Sequence, residues 1–370
     1  MPARAHNRVL LGGLGLFLVL VAWLALTLEP IDGDLVRVGG LSERDWGWQG
    51  AHPRYVEPRH RYPDADTERP PADIVVFGDS FSHQAHRGYE WQAVLAARTA
   101  ARIVTYDLRR FEPLAVLESA EYRRHPPAAV VYQSSELSLA DRLPRYARDC
   151  AAGVVVPQPG GSRRSLPMRP LPAEQSSQAR VRGFGWDLSA GVDAAMHVIR
   201  LGLEHWGGAS NVRVLPLARR GLFSSRRDDL LVYGYAVRPR LSRDLIERMG
   251  CGVANLQRRV EQQVGALFVP LLVPNKYSAY APYLMTDLDA DPGFVKAVLA
   301  ASGLPPVGLA SALNAAIAAG EQDVYLPNDS HWGPIGHQLA ADAVLRALLA
   351  RGVFGIHDGL LLSPMPALSR

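Results

Sequence analysis

The chain has 370 residues, enough to bury a large core in one elaborated domain or two. Hydrophobic residues make up 48% and charged residues 21% of it, which is the ordinary balance of a globular protein. The net charge of +4 is small, and the basic residues are nearly all arginines scattered along the chain. This distribution does not favour nucleic-acid binding.

An uncharged, apolar stretch covers residues 9–28. Twenty residues make about 30 Å of helix, which is enough to cross a bilayer. Arg4 and Arg8 precede the stretch and acidic residues follow it, so the positive-inside rule places the rest of the chain outside the cytoplasm. A cleaved signal peptide is the alternative. We favour an uncleaved anchor, because a signal peptide has a shorter apolar region and no convincing cleavage site precedes Glu29.

Changes in composition along the chain predict its division into segments. Residues 1–30 are a cytoplasmic stub and the anchor, and residues 31–72 are predicted as a juxtamembrane linker that packs partly on the domain. Residues 73–355 are predicted as one domain, with an insertion at about 150–225 that begins in a stretch rich in Pro, Gly, Ser and Arg. Residues 356–370 remain as a tail.

Strand and helix patterns alternate within the domain, which predicts an α/β fold with a parallel sheet and right-handed crossovers. The predicted strands are short apolar runs rich in β-branched residues, at 74–77, 101–106, 128–133, 229–236, 266–273 and 324–326. The helical patterns lie at 89–99, 113–124, 243–264, 292–299, 308–319 and 335–349.

The first strand ends in a tight turn that carries Ser80. Gly78 and Asp79 break the strand, and a helical pattern resumes about ten residues later. This arrangement exposes a hydroxyl at the carboxyl edge of a parallel sheet, where a helix N-terminus favours developing negative charge. A serine hydroxyl is a weak nucleophile and requires a base.

The best candidate base is His331, far downstream. Asp329 precedes it by two residues, a spacing at which the carboxylate can reach the near ring nitrogen and leave the far one for Ser80. Each motif is weak alone, since Gly-Asp-Ser is a common turn and a histidine before a helix is often structural. Together, at the two ends of one α/β domain, they predict a Ser-His-Asp site.

These motifs resemble the SGNH (GDSL-like) hydrolases. Residues 78–81 are similar to the first block of those enzymes, and residues 329–332 to the last block. The chain resembles more closely the alginate O-acetyltransferase group, through Asp-x-His-Trp at 329–332 and a Pro-x-Lys-Tyr-x-x-Tyr segment at 274–280. The order differs, because the alginate enzymes carry Asp-x-His before the serine.

The resemblance implies a flavodoxin-like three-layer sandwich and a membrane-anchored O-acetyltransferase that modifies an exported polysaccharide through an acetyl-enzyme. An SGNH esterase and a catalytically weak polysaccharide-binding assembly subunit are the alternatives. No metal or other cofactor is expected. The strand at 128–133 ends without the usual Asn, so the oxyanion donors stay open; the oxyanion and substrate-binding candidates are Asp79, Tyr89, Gln133, Ser134, Lys276, Tyr277 and Tyr280.

The same resemblance implies a bacterial inner-membrane protein with its catalytic domain in the periplasm. Its acetyl donor would come from a membrane acyltransferase partner. The two cysteines, Cys150 and Cys251, could pair in such a compartment or remain free thiols.

Overall fold

The computed structural model describes residues 3–27, 33–50, 53–54, 59–63, 68–83, 89–148, 150, 175–176, 211–286, 288 and 293–354. The predicted tail, 356–370, and most of the predicted insertion lie outside these residues.

The described α-helices are α1 (Ala3–Thr27), α2 (Asp34–Gly39), α3 (Glu43–Trp46), α4 (Trp91–Thr99), α5 (Pro113–Leu117), α6 (Ala120–Arg124), α7 (Glu136–Arg142), α8 (Arg243–Arg259), α9 (Lys276–Tyr280), α10 (Phe294–Ser302), α11 (Leu309–Ala319) and α12 (Pro334–Ala350). The strands are β1 (Pro53–Arg54), β2 (His60–Arg61), β3 (Ile74–Gly78), β4 (Ile103–Asp107), β5 (Ala129–Ser135), β6 (Gln175–Ser176), β7 (Val212–Leu215), β8 (Leu230–Tyr233) and β9 (Leu267–Val273).

The central sheet has five parallel strands in the order β2-β4-β3-β5-β9. In register, Ile74 of β3 lies between Ile103 of β4 and Ala129 of β5. Strands β3, β5 and β9 are buried along their whole length, as expected for apolar runs covered on both faces. The predicted α/β fold with a parallel sheet is confirmed.

Helices cover both faces of this sheet. Successive residues of β3 alternate between two cores: Ile74 and Val76 pack with α4, α11 and α12, while Val75 and Phe77 pack with α5, α6, α8 and α10. The period-two alternation of side chains along a strand therefore produces the three layers, consistent with an SGNH-like sandwich.

Two predicted strands differ from the structure. The run at 229–236 forms β8, which pairs with β7 in an antiparallel hairpin outside the main sheet. The run at 324–326 is not a strand, and a single antiparallel bridge joins Tyr325 to Trp332 there. Pro327 follows it directly and cannot donate to a ladder, so the segment stays a loop.

Residues 33–46, predicted as part of a linker, fold onto the domain as α2 and α3. We call them the N-terminal strap. Leu35 and Val36 are completely buried and pack with Val212 of β7 and Leu231 of β8. A linker prediction rests on the lack of periodicity, and two helices of six and four residues are too short to show any.

Within the described residues, no helix combines the length and apolar character that a bilayer crossing requires. The anchor at residues 9–28 stays a prediction.

Cys150 and Cys251 form a disulfide, which decides between the two alternatives left open by the sequence. Cys251 lies on α8, and the bond closes a loop between positions 101 residues apart.

Candidate functional site

A cavity of about 400 Å³ opens at the carboxyl ends of β3, β5 and β9. Ser80 follows β3, Ser135 ends β5 and Asn275 follows β9, and all three line it. Strand β3 lies between β4, the next strand along the chain, and β5, so the sheet order reverses there. Ligands of open parallel sheets bind in the crevice at such a reversal.

The turn that carries Ser80 is fixed by close packing. Ser80 begins a single 3₁₀ turn, Ser80–Ser82, directly after β3. A side chain at Gly78 would collide with Ser82 and would lie 2.9 Å from Oε1 of Gln133, so glycine is required where the strand turns. Ser80 is half-buried while its neighbours Phe81 and Ser82 are buried. The turn therefore exposes this one side chain to the cavity.

Asp79 stabilises the same turn through hydrogen bonds of its side chain. Its buried carboxylate accepts hydrogen bonds from the Phe81 N–H (3.2 Å), the Gln133 amide (2.8 Å), the Ser135 N–H (2.7 Å) and the Arg142 guanidinium (2.8 Å). These bonds join the ends of β3 and β5 to α7. Asp79 does not line the cavity, and its contacts assign it to positioning the serine turn.

His331 and Asp329 form a short hydrogen bond. Nδ1 of His331 lies 2.6 Å from Oδ1 of Asp329, which also accepts the backbone N–H of His331 at 2.9 Å. Burial lowers the pKa of His331, but the Asp329 charge, its hydrogen bond and the carboxylate of Asp34 outweigh burial and raise the pKa to about 9. Burial raises the pKa of Asp329, and the charge of His331 reverses this to a value well below the usual range.

Ser80 and His331 line the same cavity. The Phe81 ring, next to the serine, lies 4.8 Å from the imidazole of His331 between centroids. Among the described residues, no hydrogen bond joins the serine hydroxyl to the imidazole, and Nε2 of His331 has no partner. Catalytic hydrogen bonds often tighten only when substrate binds, so a serine and an imidazole that line one cavity are compatible with the predicted pair.

Asp34 of the N-terminal strap also lines the cavity, which the sequence did not indicate. Its carboxylate accepts hydrogen bonds from the backbone N–H (2.8 Å) and the hydroxyl (2.6 Å) of Ser330. Its backbone N–H donates to Oδ2 of Asp329 at 3.1 Å. Burial and the Asp329 charge raise the pKa of Asp34. The strap thus holds the loop that carries both predicted catalytic residues.

Lys276 supports this loop from the other side. Its buried ammonium donates to three backbone carbonyls, those of Leu326 (2.7 Å), Pro327 (2.9 Å) and Asp329 (3.2 Å). Burial is the main cause that lowers the pKa of Lys276 to about 7. Three acceptors require all three ammonium hydrogens, so these bonds favour the charged form. Part of the side chain lines the cavity, but its charged end is directed to the loop.

The other substrate-binding candidates differ in whether they line the cavity or are buried in the core. Tyr277 lines the cavity, whereas Tyr280 is fully buried in the core. Gln133 and Ser134 are fully buried, and the Ser134 hydroxyl accepts from Arg142. Tyr280, Gln133 and Ser134 do not line the cavity.

Tyr89 is also buried and does not line the cavity. Its ring lies 5.2 Å from that of His337 on α12.

Two groups remain as candidate oxyanion donors. The backbone N–H of Ser80 has no hydrogen-bond partner among the described residues. Asn275 lines the cavity, and its amide nitrogen makes only a long contact, 3.4 Å, to the Ala236 carbonyl. The sequence carries a signal for Asn275, because an Asn stands two residues after the buried strand β9.

One nitrogen and two carboxylate oxygens, from His331, Asp329 and Asp34, lie within 4.8 Å of one another. This set could hold a divalent cation. A cation between Asp329 and Nδ1 of His331 would replace their 2.6 Å hydrogen bond, and Asp34 already accepts two bonds from Ser330. The contacts therefore describe a hydrogen-bonded cluster, and the expectation of a metal-free site stays a prediction.

Comparison with known proteins adds one finding. Residues 230–358 match the family described as "SGNH hydrolase-like domain, acetyltransferase AlgX". The matched segment contains Lys276, Asp329 and His331 but not Ser80. No curated protein and no solved structure matches the chain. The match confirms the family resemblance and supports acetyltransferase or esterase-type chemistry.

Proposed function

We propose that this chain is an SGNH-type O-acetyltransferase that acts on an exported polysaccharide. The observation that carries the proposal is the cavity, which Ser80 shares with the His331 imidazole, whose Nδ1 is hydrogen-bonded to Asp329. The match to the AlgX-type domain over residues 230–358 supports acetyl as the transferred group.

The chemistry follows from the atoms that line the cavity. Oγ of Ser80 attacks the acetyl carbonyl of the donor while Nε2 of His331 accepts the hydroxyl proton. The negative charge on the carbonyl oxygen is stabilised by the Ser80 N–H and the Asn275 amide. His331 then returns the proton to the leaving group, and an acetyl ester remains on Ser80. Asp329 orients the imidazole and stabilises its charged form.

In the second half of the reaction, a sugar hydroxyl attacks the acetyl ester. His331 accepts the proton of this hydroxyl and gives it to Oγ of Ser80 as the ester bond breaks. The products are an O-acetylated sugar and free enzyme. Water in place of the sugar would give an esterase with the same residues.

The location of the protein belongs to the same proposal. Residues 9–28 anchor the chain in the bacterial inner membrane, and the domain lies in the periplasm. The disulfide between Cys150 and Cys251 supports an oxidising compartment. The acetyl group is delivered by a membrane acyltransferase partner, and the reaction uses no cofactor.

The test uses the full chain in detergent with an acetyl ester donor. Mass spectrometry should show one added acetyl group on Ser80, and Ser80→Ala should abolish both this adduct and acetyl release. Ser225→Ala is a matched control, because that hydroxyl bonds a surface turn instead of lining the cavity. Added glycan should accept acetyl in preference to water.

Two results would replace this proposal. Hydrolysis that is unaffected by glycan would identify an esterase. Negligible turnover by wild type, together with glycan binding that is unchanged in Ser80→Ala, would identify a binding subunit.

A further inference from the structure

An exposed aromatic side chain lies at the mouth of the cavity. Tyr235 is 56% exposed, and it also lines the cavity that contains Ser80. Exposing a large ring to water is unfavourable, and among the described residues outside α1 the other exposed large hydrophobic side chains are Val214 and Met285. Neither of those two lines the cavity. The exposed ring of Tyr235 is therefore a candidate contact for a ligand that enters the cavity.

The ring of Tyr235 stacks on the ring of a second tyrosine. The rings of Tyr233 and Tyr235 are stacked, with centroids 4.9 Å apart and planes at 14°. Tyr233 ends strand β8, and it lines the cavity together with Asp34 of the strap. The turn that follows is fixed by a 2.6 Å hydrogen bond from the Gly234 N–H to the Asn211 carbonyl. One face of Tyr235 is thus supported, and the ring is preorganised as a platform.

A cation lies beside this platform. Arg238 lines the cavity, and its guanidinium is fixed by bonds from Nη2 to the Leu137 carbonyl (2.9 Å) and from Nε to the Tyr235 carbonyl (3.4 Å). Nη1 has no hydrogen-bond partner among the described residues. A fixed donor next to a flat ring matches a ligand with an apolar face and oxygen atoms at its edge.

We propose that the Tyr235 ring and Arg238 form a sugar-binding subsite, in which a pyranose ring stacks on Tyr235 and one of its oxygens accepts a hydrogen bond from Arg238. A pyranose presents axial C–H groups on one face, which are attracted to the negative face of an aromatic ring. Its equatorial oxygens lie at the edge, on the side of Arg238, and Ser138 also lines the cavity. The volume of about 400 Å³ lies in the range of small-ligand sites, roughly 300 to 1,000 Å³.

This inference rests on the proposed function for its consequence. The platform and Ser80 share one cavity, so a sugar unit on Tyr235 is the acetyl acceptor or its neighbour in the polymer. The subsite itself does not require chemistry, and binding can be measured without turnover.

The experiment measures binding to the full chain in detergent, in the Ser80→Ala background. The probes are cellohexaose, which is neutral, and a hexamer of galacturonate, which is acidic; calorimetry gives the affinity. At least one probe should bind, and Tyr235→Ala should weaken its binding by at least about tenfold. Tyr235→Phe should retain binding, because the ring face is unchanged. Preference for the acidic probe would show that Arg238 pairs with a carboxylate, and equal affinities that it meets hydroxyls.

Met285→Ala is the matched control, since this side chain is 68% exposed and does not line the cavity. It should bind the probe as the parent protein does. Failure of the parent to bind either probe at millimolar concentration, or equal affinities of the parent and Tyr235→Ala, would overturn the subsite. Sugar binding that depends on Tyr235 without acetyl release by wild type would keep the subsite and reject the acetyl chemistry.

Discussion

Leu35 gives the sharpest test of whether the N-terminal strap belongs to the catalytic domain. Its side chain is completely buried with Val212 and Leu231, and its backbone N–H donates to the Asn328 carbonyl at 3.1 Å. Leu35→Ala leaves a cavity in this cluster and should lower the free energy of unfolding by about 3 kcal/mol. For a domain of about 300 residues the melting temperature should fall by roughly 5 °C.

Activity should fall further than unfolding explains. Helix α2 begins at Asp34, whose carboxylate holds Ser330 between the two predicted catalytic residues. A shift of this helix displaces the loop, and a displacement of about 1 Å can cost roughly 100-fold in rate. We expect ester hydrolysis by Leu35→Ala to fall at least tenfold at a temperature where circular dichroism shows the protein still folded.

Arg37→Ala is the matched control on the same helix, because Arg37 is exposed. It should change the melting temperature and the ester hydrolysis rate very little. If Leu35→Ala melts and hydrolyses ester as Arg37→Ala does, the strap is a passive linker and the contacts from Asp34 to the loop have no role in the site.

Three further predictions concern the loop and the disulfide. Lys276→Met removes the donors to three backbone carbonyls, and this loss is partly offset by removal of a buried charge. The variant should lower the free energy of unfolding by about 2 kcal/mol in chemical denaturation, whereas Lys296→Met, at an exposed lysine, should change it very little. A general base must be neutral, so ester hydrolysis should rise with pH and level off above the His331 pKa of about 9. Asp329→Asn, which removes the main charge that raises this pKa, should move the rise to lower pH with a plateau roughly 10⁴-fold lower; an unmoved profile would refute the assignment. Reduction of the disulfide, which links positions 101 residues apart, should lower the free energy of unfolding by about 3 kcal/mol, and an unchanged denaturation midpoint would contradict this.

The sequence predicts the sheet and part of the site because both depend on patterns among neighbouring residues. The buried strands β3 and β9 are continuous apolar runs, and such runs identify strands covered on both faces. Asp329 and His331 are two residues apart, so their hydrogen bond is a local contact. The carboxyl end of β3 places Ser80 at the sheet edge once the sheet is parallel.

Other parts of the site have no local signal. Asp34 meets Ser330 across 296 positions of the chain, in a helix too short to show a period. The partners of Lys276 are backbone carbonyls, which every residue has, so no sequence motif identifies them. The stacked tyrosines 233 and 235 read as alternating residues of a strand, and only the turn after β8 brings their rings together.

The position of Asp34 at the cavity has a consequence for where the protein can act. Helix α1 ends at Thr27 and Gly33 begins the strap, so only five residues separate them. Fully extended, this connection reaches about 20 Å. Under the proposed anchoring, the start of the strap stays within that distance of the end of the anchor, so the cavity beside Asp34 cannot follow a polymer into the bulk periplasm. A glycan acceptor would then be modified close to the membrane surface.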